Sequence, residues 1–308
     1  MEAEHPDSAS TAEGFRCGTV TLVGRPNAGK STLLNRLIGT KISIVSSKPQ
    51  TTRHRISGIL TEDRGQAIFV DTPGVHRPHY RMNRRMMQAT RQAMLDVDLV
   101  AVIVDATERR GGGNDYLMKI LSDLTATTIL LLNKIDRVAK PQLLPAIDWF
   151  RRRHEFADII PISALEGDNA EAFVDAVFRH LPPGPMLYPD ETITDRSVRF
   201  MVAEMVREEL LHRTRDELPY TTAVTVDHWE ERDGDDGVVH IGATIYVERD
   251  GQKPIVIGKG GSMLRRVGTA ARRQIEGLID RHVLLELWVK VKPEWRQQAR
   301  LLDEMEIT

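Results

Sequence analysis

Residues 24–31 read "GRPNAGKS", and this octapeptide sets the architecture of everything around it. It fits G-x-x-x-x-G-K-[ST], the pattern of a loop that wraps phosphates, and it lies between an apolar strand-like run and a helical one. Glycines let backbone N–H groups turn inward, and the start of a helix adds partial positive charge at the same point. Lys30 can reach the β- and γ-phosphates, while Ser31 offers a hydroxyl to Mg²⁺. Gly24, Arg25, Pro26, Asn27, Ala28, Gly29, Lys30, Ser31 and Thr32 form the first part of a candidate nucleotide site.

Outward from that loop, short apolar runs alternate with helical patterns. "TVTLVG", "ISGIL", "QAIFVD", "LVAVIVD", "TTILLLN" and "DIIPI" read as strands, several too uniformly apolar for a half-exposed sheet. Helical spacing runs over 30–38, 80–95, 113–123, 141–155 and 169–180. The alternation predicts an α/β P-loop domain, a mostly parallel six-stranded sheet with helices on both faces. Too few residues join "ISGIL" to "QAIFVD" for a crossover, so that pair is expected to be antiparallel.

Further motifs follow in order along these elements. "DTPG" ends the third strand, where Asp71 can hold a Mg²⁺-bound water and the Gly74 N–H can meet a γ-phosphate; Thr72, Pro73 and Val75 share that turn. "QTTR" lies in a polar loop before the second strand, which suits Thr52 as a Mg²⁺ ligand present only with the γ-phosphate. "NKID", Asn133 to Asp136 with Lys134 between, supplies the base preference. The Asp136 carboxylate can accept from guanine N1–H and N2–H₂, whereas adenine would leave a buried carboxylate unpaired at about 1–3 kcal/mol. Alone, "NKID" is as easily a surface loop; its place at the end of a later strand of the same domain decides the reading. Ser163, Ala164 and Leu165 follow "DIIPI", where a backbone N–H can support guanine O6.

A second architecture follows "PPGPMLYP" at 182–189, four prolines in eight residues that read as a stiff linker. A helix carrying Val198, Met201, Val202, Met205 and Leu210 on its buried face leads into strands at 221–229 and 239–248. "IGKGG" at 257–261, a helix near 262–279 and the strand "VLLELWVKV" complete an α-β-β-α-α-β order. Residues 251–275 carry Lys253, Lys259, Arg265, Arg266, Arg272 and Arg273 with no acidic residue. Leu264, Val267, Ala271, Ile275 and Leu278 are the expected buried stripe, with the arginines off that face. The expected boundaries are 1–17 disordered, 18–181 the nucleotide domain, 182–196 the linker and 197–308 the second domain.

Composition sets the limits. The 308 residues are 41% hydrophobic and 28% charged, ordinary for a soluble globular protein of two domains. Cys17 stands alone, which excludes an internal disulfide and fits a reducing, cytoplasmic setting. A net charge of −2 gives no general support for nucleic-acid binding, so any such role needs a local patch. His76 and His79 have no metal spacing, and Trp288 and Trp295 read as packing residues. The Met-rich run 81–95 reads as an amphipathic switch helix.

"GRPNAGKSTLLN", "KPQTTRHRI", "DTPGVH" and "NKID" closely resemble the Era family of bacterial GTPases, within the translation-factor class. The resemblance implies a GTP/GDP switch with slow hydrolysis. It makes Ser31 and Thr52 Mg²⁺ ligands, with Asp71 beside them, Lys30 a phosphate ligand, and Asn133 and Asp136 the guanine contacts. Val75 stands where Ras-like GTPases carry a water-orienting glutamine, so hydrolysis must use something else. In related GTPases an asparagine at the place of Asn27 can ligate K⁺, which implies K⁺ as a second cofactor; Lys30, Asn27 and Thr52 are thus the candidate catalytic set.

The second half resembles a KH domain of type II, whose G-x-x-G loop clamps about four nucleotides of single-stranded RNA. Ile257, Gly258, Lys259, Gly260, Gly261, Arg265 and Arg266 are the candidate RNA contacts, with Ile255 and Ile257 lining a groove for bases. Together the two resemblances imply a monomer acting with the 3′ end of 16S rRNA and the small ribosomal subunit, and leave a peripheral membrane contact open. The competing reading is a nucleotide-switched adaptor whose second domain binds a protein or a membrane surface. An ATP-dependent kinase conflicts with Asp136.

Overall fold

The structure is a computed structural model that describes residues 14–75, 81–95, 97–108, 111–231 and 237–307. Most of the expected extension, and both His76 and His79, lie outside the described residues. The chain runs β1 (Arg16–Gly24), α1 (Lys30–Ile38), β2 (Ile56–Glu62), β3 (Gly65–Asp71), α2 (Arg81–Leu95), β4 (Leu99–Asp105), α3 (Gly113–Leu121) and β5 (Thr127–Asn133). Next come α4 (Leu143–Arg151), β6 (Asp158–Ile162) and α5 (Ala170–His180). β1 starts at Arg16, inside the segment expected to be disordered.

The first sheet has the order β2-β3-β1-β4-β5-β6. β2 is antiparallel to β3, pairing Ile56 with Asp71 and Glu62 with Gly65, and the other neighbours are parallel. Leu99–Val104 and Thr128–Asn133 are buried throughout, which is why those runs lack polar alternation. Strand order reverses at β1, so the phosphate loop opens at the carboxyl edge between β1 and its two neighbours, where open α/β sheets bind ligands.

α6 (Val198–Arg213) and α7 (Leu218–Thr221) lead into β7 (Ala223–Glu231) and β8 (Val239–Val247). α8 (Gln252–Ile257), α9 (Ser262–Ile279), β9 (Val283–Val291) and α10 (Ala299–Glu304) close the chain. β8 pairs antiparallel with β7 and parallel with β9. Val267, Ala271 and Ile275 of α9 are fully buried against this sheet, while Leu264 and Leu278 are only half-buried. Segment 182–196 lies along the first sheet: Gln66 Oε1 accepts from the N–H groups of Leu187 and Tyr188 at 2.9 Å each. No helix among the described residues is long and apolar enough to cross a membrane.

α6 departs most from its sequence pattern. Val198, expected inside, is exposed, whereas Glu204, Arg207, Glu208 and Glu209 are buried beside Met201, Val202, Met205 and Leu210. Phe200 and Met201 pack into the first domain's core, and Val202, Met205, Val206 and Leu210 into the second's. A helix covered on two sides has no solvent face for its charges to occupy. α2 meets the second half in the same way: Met82 and Met86 pack with Trp295, Leu301, Leu302 and Met305.

Candidate functional site

The phosphate loop folds as its glycines require. Gly29 has φ 103°, and a Cβ there would lie 2.1 Å from Asn133 Nδ2, so glycine is needed for both backbone and space. Lys30 is buried at the first position of α1, its Nζ donating to the carbonyls of Gly24 (3.2 Å) and Arg25 (3.1 Å). Burial lowers its pKa to about 8, although the Asp71 carboxylate opposes the shift. The amine is turned back on its own loop, available for an anion that displaces the two carbonyls.

Beside it lies a cluster of oxygens. Ser31 Oγ donates to Asp71 Oδ2 at 2.6 Å, and Ser43 Oγ donates to the same atom at 3.0 Å. Thr52 Oγ1 lies 3.0 Å from Ser31 Oγ and 3.5 Å from Asp71 Oδ2. Asp71 Oδ1 is buried with no hydrogen-bond partner. Burial raises the Asp71 pKa, against the pull of Lys30 and the three hydroxyls. Two hydroxyls and a carboxylate with an unsatisfied oxygen are a hard, all-oxygen donor set that fits Mg²⁺. Ser43 is a member that the sequence reading missed, because nothing in "ISIVSS" marks it.

The base side is built around Asn133. Its Nδ2 donates to Ala28 O at 2.7 Å and its Oδ1 accepts from the Ala164 N–H at 2.9 Å, so it ties the phosphate loop to the Ser163–Leu165 turn. Of the three N–H groups in that turn, Ala164's is bonded to Asn133 and Ser163's to Asp168 O at 3.1 Å. Asp136 accepts from Ser163 Oγ at 2.7 Å. It is exposed, a correction to the buried carboxylate assumed for base selection. Lys134 forms an ion pair with Asp105, and Arg25 with Glu108, two acidic partners the motifs did not indicate. Leu165 is exposed and Thr32 half-buried at the rim.

The "DTPG" turn closes over the loop. Thr72 Oγ1 donates to Leu22 O at 2.8 Å, Gly74 lies against Pro26, and the Val75 N–H donates to Gly24 O at 2.9 Å. The Val75 side chain is buried, so it has neither the group nor the position to orient water. Asn27, at φ 62°, is exposed and donates from Nδ2 to Ser47 O at 2.7 Å. A cleft of about 560 Å³ runs from Gly29, Lys30 and Ser31 past Thr52 to Lys134 and Arg137.

The second site is open. Gly258 (φ 75°) ends α8, and a Cβ there would lie 2.6 Å from Met263 N. Lys259 and Gly260 are exposed, and a Cβ at Gly260 meets nothing within 4 Å. Arg265, Arg266, Arg272 and Arg273 are exposed as expected. The groove beside them, about 300 Å³, lies between α9 and β9 and is lined by Leu264, Gly268, Leu284 and Leu287. Ile255 and Ile257, expected to line a groove for bases, are not among its walls: Ile255 is exposed and Ile257 half-buried. Trp295 is fully buried, its indole N–H donating to Thr221 O at 2.9 Å. Trp288 is 46% exposed, against the packing role expected for it.

Comparisons with known proteins divide along the same line. Residues 19–134 match the family described as a 50S ribosome-binding GTPase, and residues 217–296 match the KH domain. The chain is 45% identical over 290 residues to GTPase Era of Heliobacterium modesticaldum, covering 94% of this chain and 96% of that one. A structure of Era with MgGDPNP and nucleotides 1506–1542 of 16S ribosomal RNA superposes at a TM-score of 0.92 with 37% identity, covering 96% of this chain and 99% of the other. A variant of Aquifex aeolicus Era bound to GDP and AlF4⁻ superposes at 0.91, also with 37% identity, covering 96% and 100%.

Proposed function

Since this chain belongs to the Era family of GTPases, we propose that it is a cytoplasmic, monomeric GTP/GDP switch that binds the 3′ end of 16S rRNA during assembly of the small ribosomal subunit. The observation that carries the reading is one chain with two phosphate-binding constructions. One is closed and metal-ready around Lys30, Ser31, Thr52 and Asp71; the other is the exposed G-x-x-G loop, set beside an apolar groove and an arginine face.

In the first site Lys30 turns from its loop carbonyls to the β- and γ-phosphates, and the helix start below Gly29 adds its N–H groups. Ser31 and Thr52, with Asp71 behind, would hold Mg²⁺, which would supply positive charge beside the phosphates. Asp136 accepts from the guanine edge. With Val75 unable to orient water, intrinsic turnover is slow. Asn27 stands at the rim opposite Ser47, and K⁺ held there would offset charge developing on the β–γ bridge, the part an arginine finger takes elsewhere. GTP turnover is accordingly faster in K⁺ than in Na⁺, and Asn27→Ala removes the difference. Equal wild-type rates in the two salts would refute the K⁺ assignment.

In the second site the loop meets phosphodiester oxygens and the α9/β9 groove takes unstacked bases. The test is fluorescence anisotropy with an RNA spanning the 3′ end of 16S rRNA, the protein loaded with a non-hydrolysable GTP analogue or with GDP. Tighter binding in the GTP-like state is expected. Affinity that ignores the nucleotide, or is matched by an unrelated single strand, would leave a GTPase without this RNA role.

A further inference from the structure

The loop that carries Thr52 is held from two sides. Asn35 of α1 fixes its beginning, accepting at Oδ1 from the N–H groups of Ile42 and Ser43. α6, which leads into the second domain, fixes the rest. Glu208 Oε1 accepts from the Val45 N–H at 2.9 Å, and Lys48 Nζ donates to the carbonyls of Leu211 and Thr214. Arg207 Nη2 donates to Thr51 O at 2.5 Å, one residue before the hydroxyl that faces Ser31 and Asp71. On the other flank Arg53 donates to Thr222 O (2.6 Å) and Pro219 O (2.8 Å).

Arg207 cannot swing. It is 2% exposed, and its Nε and Nη2 each donate to the Glu204 carboxylate at 2.6 Å, a two-point pair within one turn of α6. Glu204 is itself buried and also faces His54 Nε2 at 3.8 Å. A buried ion pair is a weak source of stability, since desolvation offsets its attraction, but a fixed fork is well suited to hold one carbonyl in one place. We infer that Arg207, oriented by Glu204, is a positioning residue for GTP hydrolysis. It fixes the Thr51 carbonyl and so presents Thr52 Oγ1 to the metal face formed by Ser31 and Asp71. The inference rests on the reading of Thr52 as a Mg²⁺ ligand, and it places a requirement of the GTP state on a helix outside the nucleotide loops.

Arg207→Met alone leaves Glu204 buried without its partner, so the test pairs it with Glu204→Gln/Arg207→Met, in which both charges are gone. Mg²⁺ dependence of GTP turnover, GDP affinity and melting temperature are measured on each. The Mg²⁺ needed for half-maximal turnover should rise about tenfold in both variants, as when a group supporting a metal ligand is lost, with GDP affinity within about twofold of wild type. Arg207→Lys, which keeps a donor for Thr51 O, should recover part of it. In a Thr52→Ala background the double change should add nothing, because both act through one hydroxyl. An unchanged Mg²⁺ requirement in Glu204→Gln/Arg207→Met, with Thr52→Ala altered, overturns the inference alone. A multiplicative effect on top of Thr52→Ala also overturns it. If Thr52→Ala leaves the Mg²⁺ requirement unchanged, the reading of Thr52 fails and the inference with it.

Discussion

Two loops of this chain use glycine and lysine to meet phosphate, and they are built in opposite ways. Residues 24–31 are packed: Lys30 is buried, Ala28 is tied to Asn133, and the loop's Gly24 carbonyl accepts from both Lys30 and Val75. Residues 258–261 are open, with Lys259 and Gly260 in solvent and only Gly258 pressed against its neighbours. The first is fixed by bonds within the protein, which suits a small anion bound with a metal in fixed geometry. The second supplies charge and a close approach, which suits a long polyanion that can be engaged at many registers.

The largest effect that separates the two is at Lys30. Lys30→Met should weaken GTP binding by roughly two orders of magnitude or more, since a charge-assisted contact to phosphate is lost. The same change should stabilise the nucleotide-free protein. With a folded pKa near 8 against 10.5, the buried amine binds protons less readily than in the unfolded chain. Stability therefore rises with pH between those values, and the charge disfavoured by burial is fully present below about pH 8. Removing it should add on the order of 3 kcal/mol near neutrality. Denaturant melts of both proteins at pH 7 and pH 10 decide it; a pH-independent difference, or a destabilised variant, breaks the claim that Lys30 is held against its preference.

A smaller effect tests the base side. Asp136→Asn should lower GTP affinity by about 1–3 kcal/mol and favour xanthosine triphosphate, whose added carbonyl can accept from the amide. Competition between the two nucleotides on the variant is the measurement, and an unaltered preference for GTP would remove Asp136 from the guanine site. The smallest effect belongs to the open loop's surroundings. Arg266→Ala should cost RNA affinity about 1 kcal/mol, equally across sequences, and make the slope of log affinity against log salt shallower by about one. A sequence-dependent loss would assign Arg266 to base reading.

Legibility in the sequence follows the same division between local and long-range causes. Most residues that the structure gathers around Lys30 could be named in advance because they come from short motifs beside strands, whereas the strand order that gathers them is not written in the α/β alternation. Ser43 was not readable, since its place depends on the path of a loop held by Asn35 and Glu208. α6 was misread for a related reason. Glu204, Arg207, Glu208 and Glu209 pattern as a solvated face, and only packing between two cores shows that they are buried. A helix with charge on every side is one of the forms a bridge between domains takes, and that signal was present in "EMVREELL". Trp288 was readable and was passed over, because it shares its face of β9 with the charged Glu286 and Lys290. With Val283 and Val289 inward, the period of two sends Trp288 out.

The claim that the two loops serve different ligands is tested most directly by Lys259→Asp/Gly260→Asp. Gly260 has open space for a side chain, and its left-handed φ of 57° is one that Asp adopts at modest cost, whereas Gly258 must stay glycine. RNA binding across a range of salt concentrations and GTP binding are measured on the same preparations. RNA affinity should fall by several kcal/mol at low salt, with a shallower salt slope, while GTP affinity is unchanged. Wild-type RNA affinity in this variant would make the loop a mere turn, and a parallel loss of GTP binding would show that the two sites do not act separately.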